Sequence, residues 1–261
     1  AYISDFKSKN LTVNSGDDVQ INNSTIDGTL KATAGKLNPN MKGSDNKKNA
    51  MFFMKDSKVS KDLEVETKNG AIHIAGGSIG QNATLTADTE GVNSGNIIIG
   101  YNGDDANNVT AKNSTSIGGT IKAKSNLWLK AFSEGKLNFK DSDIKQNMDV
   151  VSNGQVKVDN SHIGQNLTVK AKRLYTNWGV TDPSIKTKVD GNLDVETNLN
   201  ASLEHVEVGN DATVTTGLTS HAPNGSVTST AYISDFKSKN LTVNSGDDVQ
   251  INDSTIDGTL K

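Results

Sequence analysis

The sequence predicts an all-β fold: a parallel β-helix, or solenoid, with coils of about 19 residues and several loop insertions. Three observations lead there. Apolar residues alternate two by two, as in Val156-Lys157-Val158 and Leu167-Thr168-Val169, which is the period of a strand and not of a helix. Equivalent apolar anchors recur at a spacing of 19, in the pairs Leu11/Leu30, Met148/Leu167, Leu193/Ala212 and Leu241/Leu260. Residues 231–261 also repeat residues 1–31 at an offset of 230, differing only at Asn23 against Asp253, which is the mark of a tandem array. Residues 1–230 therefore read as one long repeat forming a shaft, and 231–261 as the start of the next. The chain opens at Ala1 without a Met, as expected of an excerpt from a longer protein.

The coil frame is clearest from Gln155, where Val156, Val158, Ile163, Leu167 and Val169 are the apolar positions. It recurs with Val19, Ile21, Ile26 and Leu30, and again with Leu137, Phe139, Ile144, Met148 and Val150. Each coil should hold three short strands, with Asn and Gly at the corners because they tolerate left-handed backbone. Each strand should pair with its equivalent one coil away, about 4.8 Å distant. The anchors equivalent to Leu167 run Leu11, Leu30, Leu63, Ala83, Ile121, Met148, Leu167, Leu193, Ala212, Leu241 and Leu260. The wide gap from Ala83 to Ile121 leaves room for one irregular extra coil around Ile97–Ile99. Pro39, Pro183 and Pro223 fall in stretches that break the frame, roughly 34–50, 172–184 and 216–225; a further break spans 93–108. These stretches are expected to bulge from the shaft as loops, where proline costs no ladder hydrogen bond.

Composition narrows the function. Only 33% of residues are apolar, too few for a thick globular core, yet Val, Ile and Leu recur from end to end, which argues against disorder. A net charge of −3 gives no electrostatic footprint for nucleic acid. No apolar run approaches the ~20 residues of a transmembrane helix. The absence of Cys excludes disulfides and thiolate metal sites.

Solenoid enzymes that act on polysaccharides need clustered carboxylates, but here Asp and Glu are scattered singly at corners. His73, His162, His205 and His221 share no metal-ligand spacing, and His162 is expected to point to solvent. No catalytic residue, cofactor or metal site is therefore assigned. Gly100–Asp105 and Ser15–Asp18 resemble single glycine–aspartate calcium turns, but calcium rolls need that motif in consecutive turns, so both read as polar corners. The N-x-S/T sequons at Asn10, Asn23, Asn82, Asn108, Asn113, Asn166, Asn200, Asn224 and Asn240 read as corner asparagines followed by strands, with glycosylation as the alternative. The side chains suited to contacts are aromatic: Phe52 and Phe53 at the end of the first insertion, Trp128 in a frame-shifted coil, and Tyr175 and Trp178 in a loop with Pro183. Such rings stack on sugars, contact proteins, or pack locally over the shaft.

The frame S-x-I-G-x-N-L-x-V, followed by alternating strands, covers Ser24–Leu30, Ser57–Val65, Ser78–Leu85, Ser142–Val150 and Ser161–Val169. It resembles the short repeats of filamentous-haemagglutinin-type adhesins, large bacterial exoproteins exported by two-partner secretion. The resemblance implies a right-handed β-helix in an extracellular or cell-surface filament, with roles in adhesion and biofilm. The expected function is a structural and adhesive repeat module that extends a shaft and displays loops. Its partners would be neighbouring repeats of the same protein, lateral filament contacts, or glycans and proteins of a host or cell surface. The alternatives are the stalk of a contact-dependent toxin delivery exoprotein and, in a different class, a polysaccharide-active β-helix enzyme.

Overall fold

The computed structural model describes residues 1–35, 50–91, 95–102, 111–217 and 229–261. These residues form an all-β structure with no helix, and the strand pairings that build its columns are parallel. The chain divides into two compact units, Ala1–Glu134 and Gly135–Lys261.

In the first unit the strands fall into three columns. One column aligns Leu11, Leu30, Leu63, Ala83 and Ile121. A second aligns Ile3, Ile21, Met54, Ile74, Ile99 and Ala131. The third, of two-residue strands, aligns Ser8, Ile26, Val59, Ile79 and Ile117. The chain visits the columns in a fixed cyclic order, so neighbours within a column are one circuit apart. Outside the columns, Tyr101–Asn102 and Ala111–Lys112 pair antiparallel. The second unit has three columns of its own: Met148, Leu167, Leu193, Ala212, Leu241 and Leu260 in the first, and Leu137, Val156, Leu174, Ala201, Ala231 and Val249 in the second. Ile144, Ile163, Val189 and Val208 line up in the third. The pairings expected from the spacing of 19, Leu11 with Leu30 and Met148 with Leu167, are present.

Alternation decides what is buried. Val13, Val19, Ile21, Ile26, Leu30, Val156, Val158, Ile163 and Leu167, the expected core positions, are all buried. Each such side chain is worth roughly 1.5–3 kcal/mol. The core is a stack of like residues, one layer per circuit, which is how a chain so poor in apolar residues stays folded.

Two kinds of corner close the circuits. Before the third column sits a left-handed residue, at Asp5, Asn23, Asp56, Asp141, Asn160, Asp235 and Asp253, with φ between 45° and 53°. Asp and Asn tolerate that conformation better than other side chains with a Cβ. A serine follows at Ser24, Ser57, Ser142 and Ser161; its buried hydroxyl donates back two residues, as Ser24 does to the Asn22 carbonyl at 2.8 Å. Before the Leu column the corner is a side-chain ladder. The amide of Asn166 donates to Asn147 Oδ1 (3.1 Å), that of Asn192 to Asn166 Oδ1 (2.9 Å) and that of Asp211 to Asn192 Oδ1 (3.2 Å). In the first unit Thr29 donates to Asn10 Oδ1 and Thr120 to Asn82 Oδ1, both at 3.0 Å. The sequon residues Asn10, Asn82, Asn166 and Asn240 are rungs of this ladder, so the N-x-T pattern has a structural cause.

Two expectations are corrected. No extra circuit intervenes between Ala83 and Ile121, which pair directly; Ile97–Ile99 lies in the second column, between Ile72–Ile74 and Leu129–Ala131. The additional residues enter on both sides of Ile97–Ile99, most of them between the second and third columns. The stretch 172–184 is not all loop, because Leu167–Thr176 is one continuous strand and the chain leaves the ladder only at Asn177. In the corner Ser15–Asp18, read from sequence as polar, Asp18 Oδ1 accepts the Met51 amide at 2.8 Å. Pro183 lies in a turn, as expected; Pro39 and Pro223, and most of the other three frame-breaking stretches, lie outside the described residues.

The two copies of the 31-residue sequence adopt the same local structure. Ile3 pairs with Ile21 and Ile233 with Ile251; Lys7 pairs with Thr25 and Lys237 with Thr255; Leu11 pairs with Leu30 and Leu241 with Leu260. Asp5 and Asp235, and Asn23 and Asp253, share the left-handed corner. Their covering differs. Phe6 is 41% exposed, whereas Phe236 is 1% exposed beneath the strand Ala201–Val208. Conversely Leu260 is 53% exposed, whereas Leu30 is fully buried beside Leu63.

Candidate functional site

The aromatic residues singled out from the sequence do not form one site. Phe52 is a core residue, fully buried in the strand Phe52–Lys55, and is removed from the contact candidates: alternation turns it inward between Val19 and Ile72. Phe53 faces outward but is half-buried, edge-on to His73 at 5.0 Å between ring centroids. Trp128 is half-buried just before the strand Leu129–Ser133, with Lys130 Nζ 5.6 Å from its ring.

Tyr175 and Trp178 do come together, in the second unit, with ring centroids 5.5 Å apart and planes tilted by 48°. Tyr175 belongs to the strand, not to a loop, and stands in an outward row Lys157, Tyr175, Ser202, Tyr232 and Gln250. Trp178, 60% exposed, opens the segment 178–186 that leaves the ladder.

The base of that segment is built on Asn177. This side chain is fully buried, with left-handed backbone at φ 47°. Its Nδ2 donates to Thr187 Oγ1 (3.2 Å) and to the carbonyls of Glu204 (3.1 Å) and His205 (3.0 Å), while its Oδ1 accepts the Asn160 amide (2.8 Å). Asp159 Oδ1 accepts the Asn177 amide at 2.7 Å. The two ends of the segment are thus pinned across the corner by one amide.

Two histidines of this unit, His162 and His205, lie among the described residues, and neither points freely to solvent. The His162 ring, half-exposed, sits between carboxylates: Nδ1 is 3.3 Å from Asp143 Oδ1 and Nε2 2.9 Å from Asp190 Oδ2. Lys188 and His162 hold the Asp190 carboxyl below the usual range. Burial pushes the Asp143 carboxyl up, but Lys145 and His162 outweigh it and bring that group down as well. His205 occupies the left-handed corner position that carries Asp or Asn elsewhere, with φ 53°. Its Nδ1 is 2.7 Å from Asp235 Oδ2 and its Nε2 is 3.0 Å from the Val180 carbonyl. The bond to Asp235 raises the His205 pKa above 6.5 against the opposing effect of burial, and the Val180 carbonyl adds to the rise.

His205 and Asn177 were not singled out from sequence. The signal was available for His205, because aligning Val206 with Phe236 puts it opposite Asp235, in a position that carries Asp or Asn in other circuits. In the first unit, a shallow groove of about 360 Å³ runs over Thr12, Lys31, Thr33, Glu64, Glu66 and Thr84. Its charges are largely matched, with Lys31 Nζ 2.8 Å from Glu64 and Glu66 paired with Lys68. Among the described residues no His, Asp or Glu cluster could hold a metal ion, and no helix is long and apolar enough to cross a membrane. No family model, no curated protein and no solved structure matches this chain.

Proposed function

We propose that this chain is a stretch of right-handed parallel β-helix, with coils of about 19 residues, that serves as the repeat module of a long filament or adhesin on a bacterial cell surface. Its role is mechanical: hydrogen bonding between circuits and the continuous apolar stack stiffen a shaft, and side segments such as 178–186 are displayed from it. The fixed cyclic order of the columns supports the β-helix, and the resemblance to haemagglutinin-type repeats supports the right hand and the extracellular setting. The reading assigns no catalysis, since duplicating a 230-residue block lengthens a stalk and gives an enzyme no gain.

One observation carries this. The same 31 residues occur twice with the same registers, and the surface that Phe6 leaves open is the one that Phe236 closes under Ala201–Val208. A sequence equivalent to 201–217 laid on Ala1–Ser15 would therefore extend the stack without a change of register. Any contact a displayed segment makes would recur once per repeat and sum along the fibre.

Negative-stain microscopy of the full-length protein tests the reading. The expected particle is a rod, with each 230-residue repeat adding on the order of 50 Å for about ten circuits. Globular particles, or a length that does not scale with repeat number, would refute it, as would depolymerisation of a polysaccharide by the purified protein.

A further inference from the structure

We propose that His205 is a pH-operated latch on the segment 178–186, holding the exposed Trp178 in place when protonated and releasing it when neutral. The inference rests on the second unit alone and does not depend on the filament reading. Both ring nitrogens of His205 face acceptors, a carboxylate on one side and a backbone carbonyl on the other. A neutral imidazole carries one N–H and can serve only one of them; the imidazolium serves both. The carboxylate is the stronger acceptor, so the neutral ring keeps its proton on Nδ1 toward Asp235. Nε2 then presents a lone pair to the Val180 carbonyl, and that contact turns from attractive to repulsive.

Val180 lies two residues from Trp178, inside the segment that Asn177 and Thr187 close at its base. Between those ends the segment is tied to the neighbouring strand Ala201–Val208 at His205 and through Lys186 Nζ to Glu207 Oε1 at 2.9 Å. The Lys186 tie is a half-exposed ion pair and contributes little. With His205 open, the tryptophan end keeps only its local contacts, the Val180 amide on the Asn177 carbonyl at 2.9 Å and Trp178 against Tyr175, and so loosens while its base stays pinned.

The charged groups facing the ring come from every neighbouring element. They are Asp235 on the strand Ala231–Ser238, Glu204 on the ring's own strand, and Asp182 within the segment. Lys186 faces Asp235 from the segment and opposes them. The three carboxylates outweigh the one ammonium, which favours the cationic ring. The raised pKa fixes the sign. The latch contributes fully below the unfolded value of about 6.5 and is lost as pH rises through the higher folded value.

The test uses the whole chain with Trp128→Phe, so that Trp178 is the only tryptophan, titrated from about pH 5 to 9. Emission should shift to the red and iodide quenching should rise in one single-proton step with a midpoint above about 6.5. His205→Asn should remove the step and leave the protein folded, because Asn holds the same left-handed corner at Asn23 and Asn160. Asp235→Asn, which keeps an acceptor but removes the charge, should move the midpoint down, and His162→Asn should leave it where it is. A step that survives in His205→Asn would overturn the proposal. So would a His205 ring that titrates by NMR at or below the ordinary value, or one that titrates above it while Trp178 does not respond.

Discussion

Phe6 and Phe236 offer a controlled experiment within one chain, since their flanking sequences are identical and their covering is not. Phe236→Ala removes a ring that is 1% exposed and leaves a cavity under Ala201–Val208, a change that typically costs about 3–5 kcal/mol. Phe6 keeps 41% of its surface exposed, so its truncation loses roughly 0.6 of a 1.5–3 kcal/mol burial and opens no closed cavity, about 1–2 kcal/mol. The difference, about 2–3 kcal/mol, is well above measurement error. Because the chain has two compact units, a single unfolding free energy need not describe it, and urea melts should be read with hydrogen exchange resolved by peptide. The decisive arm joins a copy of residues 200–230 ahead of Ala1. In that longer chain Phe6→Ala should become as costly as Phe236→Ala. Equal costs in the original chain, or no change on extension, would refute the argument that the edge left open by residues 1–15 is the one residues 201–217 cover.

Two further substitutions probe the stack and its corners. Ile163→Asp puts an unpaired charge between Ile144 and Val189, where Ile163 is fully buried, and should cost at least about 3 kcal/mol; circular dichroism should show loss of strand signal, with exchange protection falling first in the second unit. Asn166→Ala removes the acceptor of the Asn192 amide and a donor to Asn147 Oδ1 at a solvent-exposed corner, so it should cost about 1 kcal/mol, whereas Asn166→Asp, which keeps the acceptor, should cost less in the same melts.

The sequence was legible where like residues stack. Alternation and the spacing of 19 located the Leu column and every expected core residue, because a buried layer repeated once per circuit leaves its period in the chain. Spacing misled wherever an insertion entered. The distance from Ala83 to Ile121 suggested an extra circuit, yet insertions on either side of Ile97–Ile99 leave the Leu pairing intact. Phe52 looked like an insertion residue because it follows a break in the frame, but its parity places it opposite Val19 and Ile72. Tyr175 shows the converse: Leu174 and Thr176 are inward-facing and buried, so the strand continues to Thr176 and only Trp178 is free of the ladder. Polar partners carried no such trace. Asn177 meets Glu204 27 residues away across the segment 178–186, and His205 meets Asp235 30 residues away across the stretch that follows Thr216, so neither separation equals the spacing of 19.

The third-column corner explains why the junction between copies can be both regular and distinct. At most circuits the residue after the left-handed turn is a buried serine that bonds its own backbone, and in two cases it also takes the amide of the preceding serine: Ser24 donates to Ser57 Oγ at 3.1 Å and Ser142 to Ser161 Oγ at 3.2 Å. Further along the second unit the same position passes to Thr187, Val206 and Phe236. Thr187 keeps a hydroxyl, which donates to the Val158 carbonyl at 2.9 Å, whereas Val206 and Phe236 put apolar volume there and the hydrogen-bonded ladder gives way to side-chain packing. The transition falls in the circuits that cover the second copy of the 31-residue sequence, and it coincides with the circuit in which His205 takes the left-handed position. A corner held by hydroxyl ladders is satisfied at any pH. One held by a bulky ring beside an imidazolium is satisfied only while the proton stays. The circuits that cover the second copy of the 31-residue sequence are therefore where the third-column corner acquires a position that responds to pH.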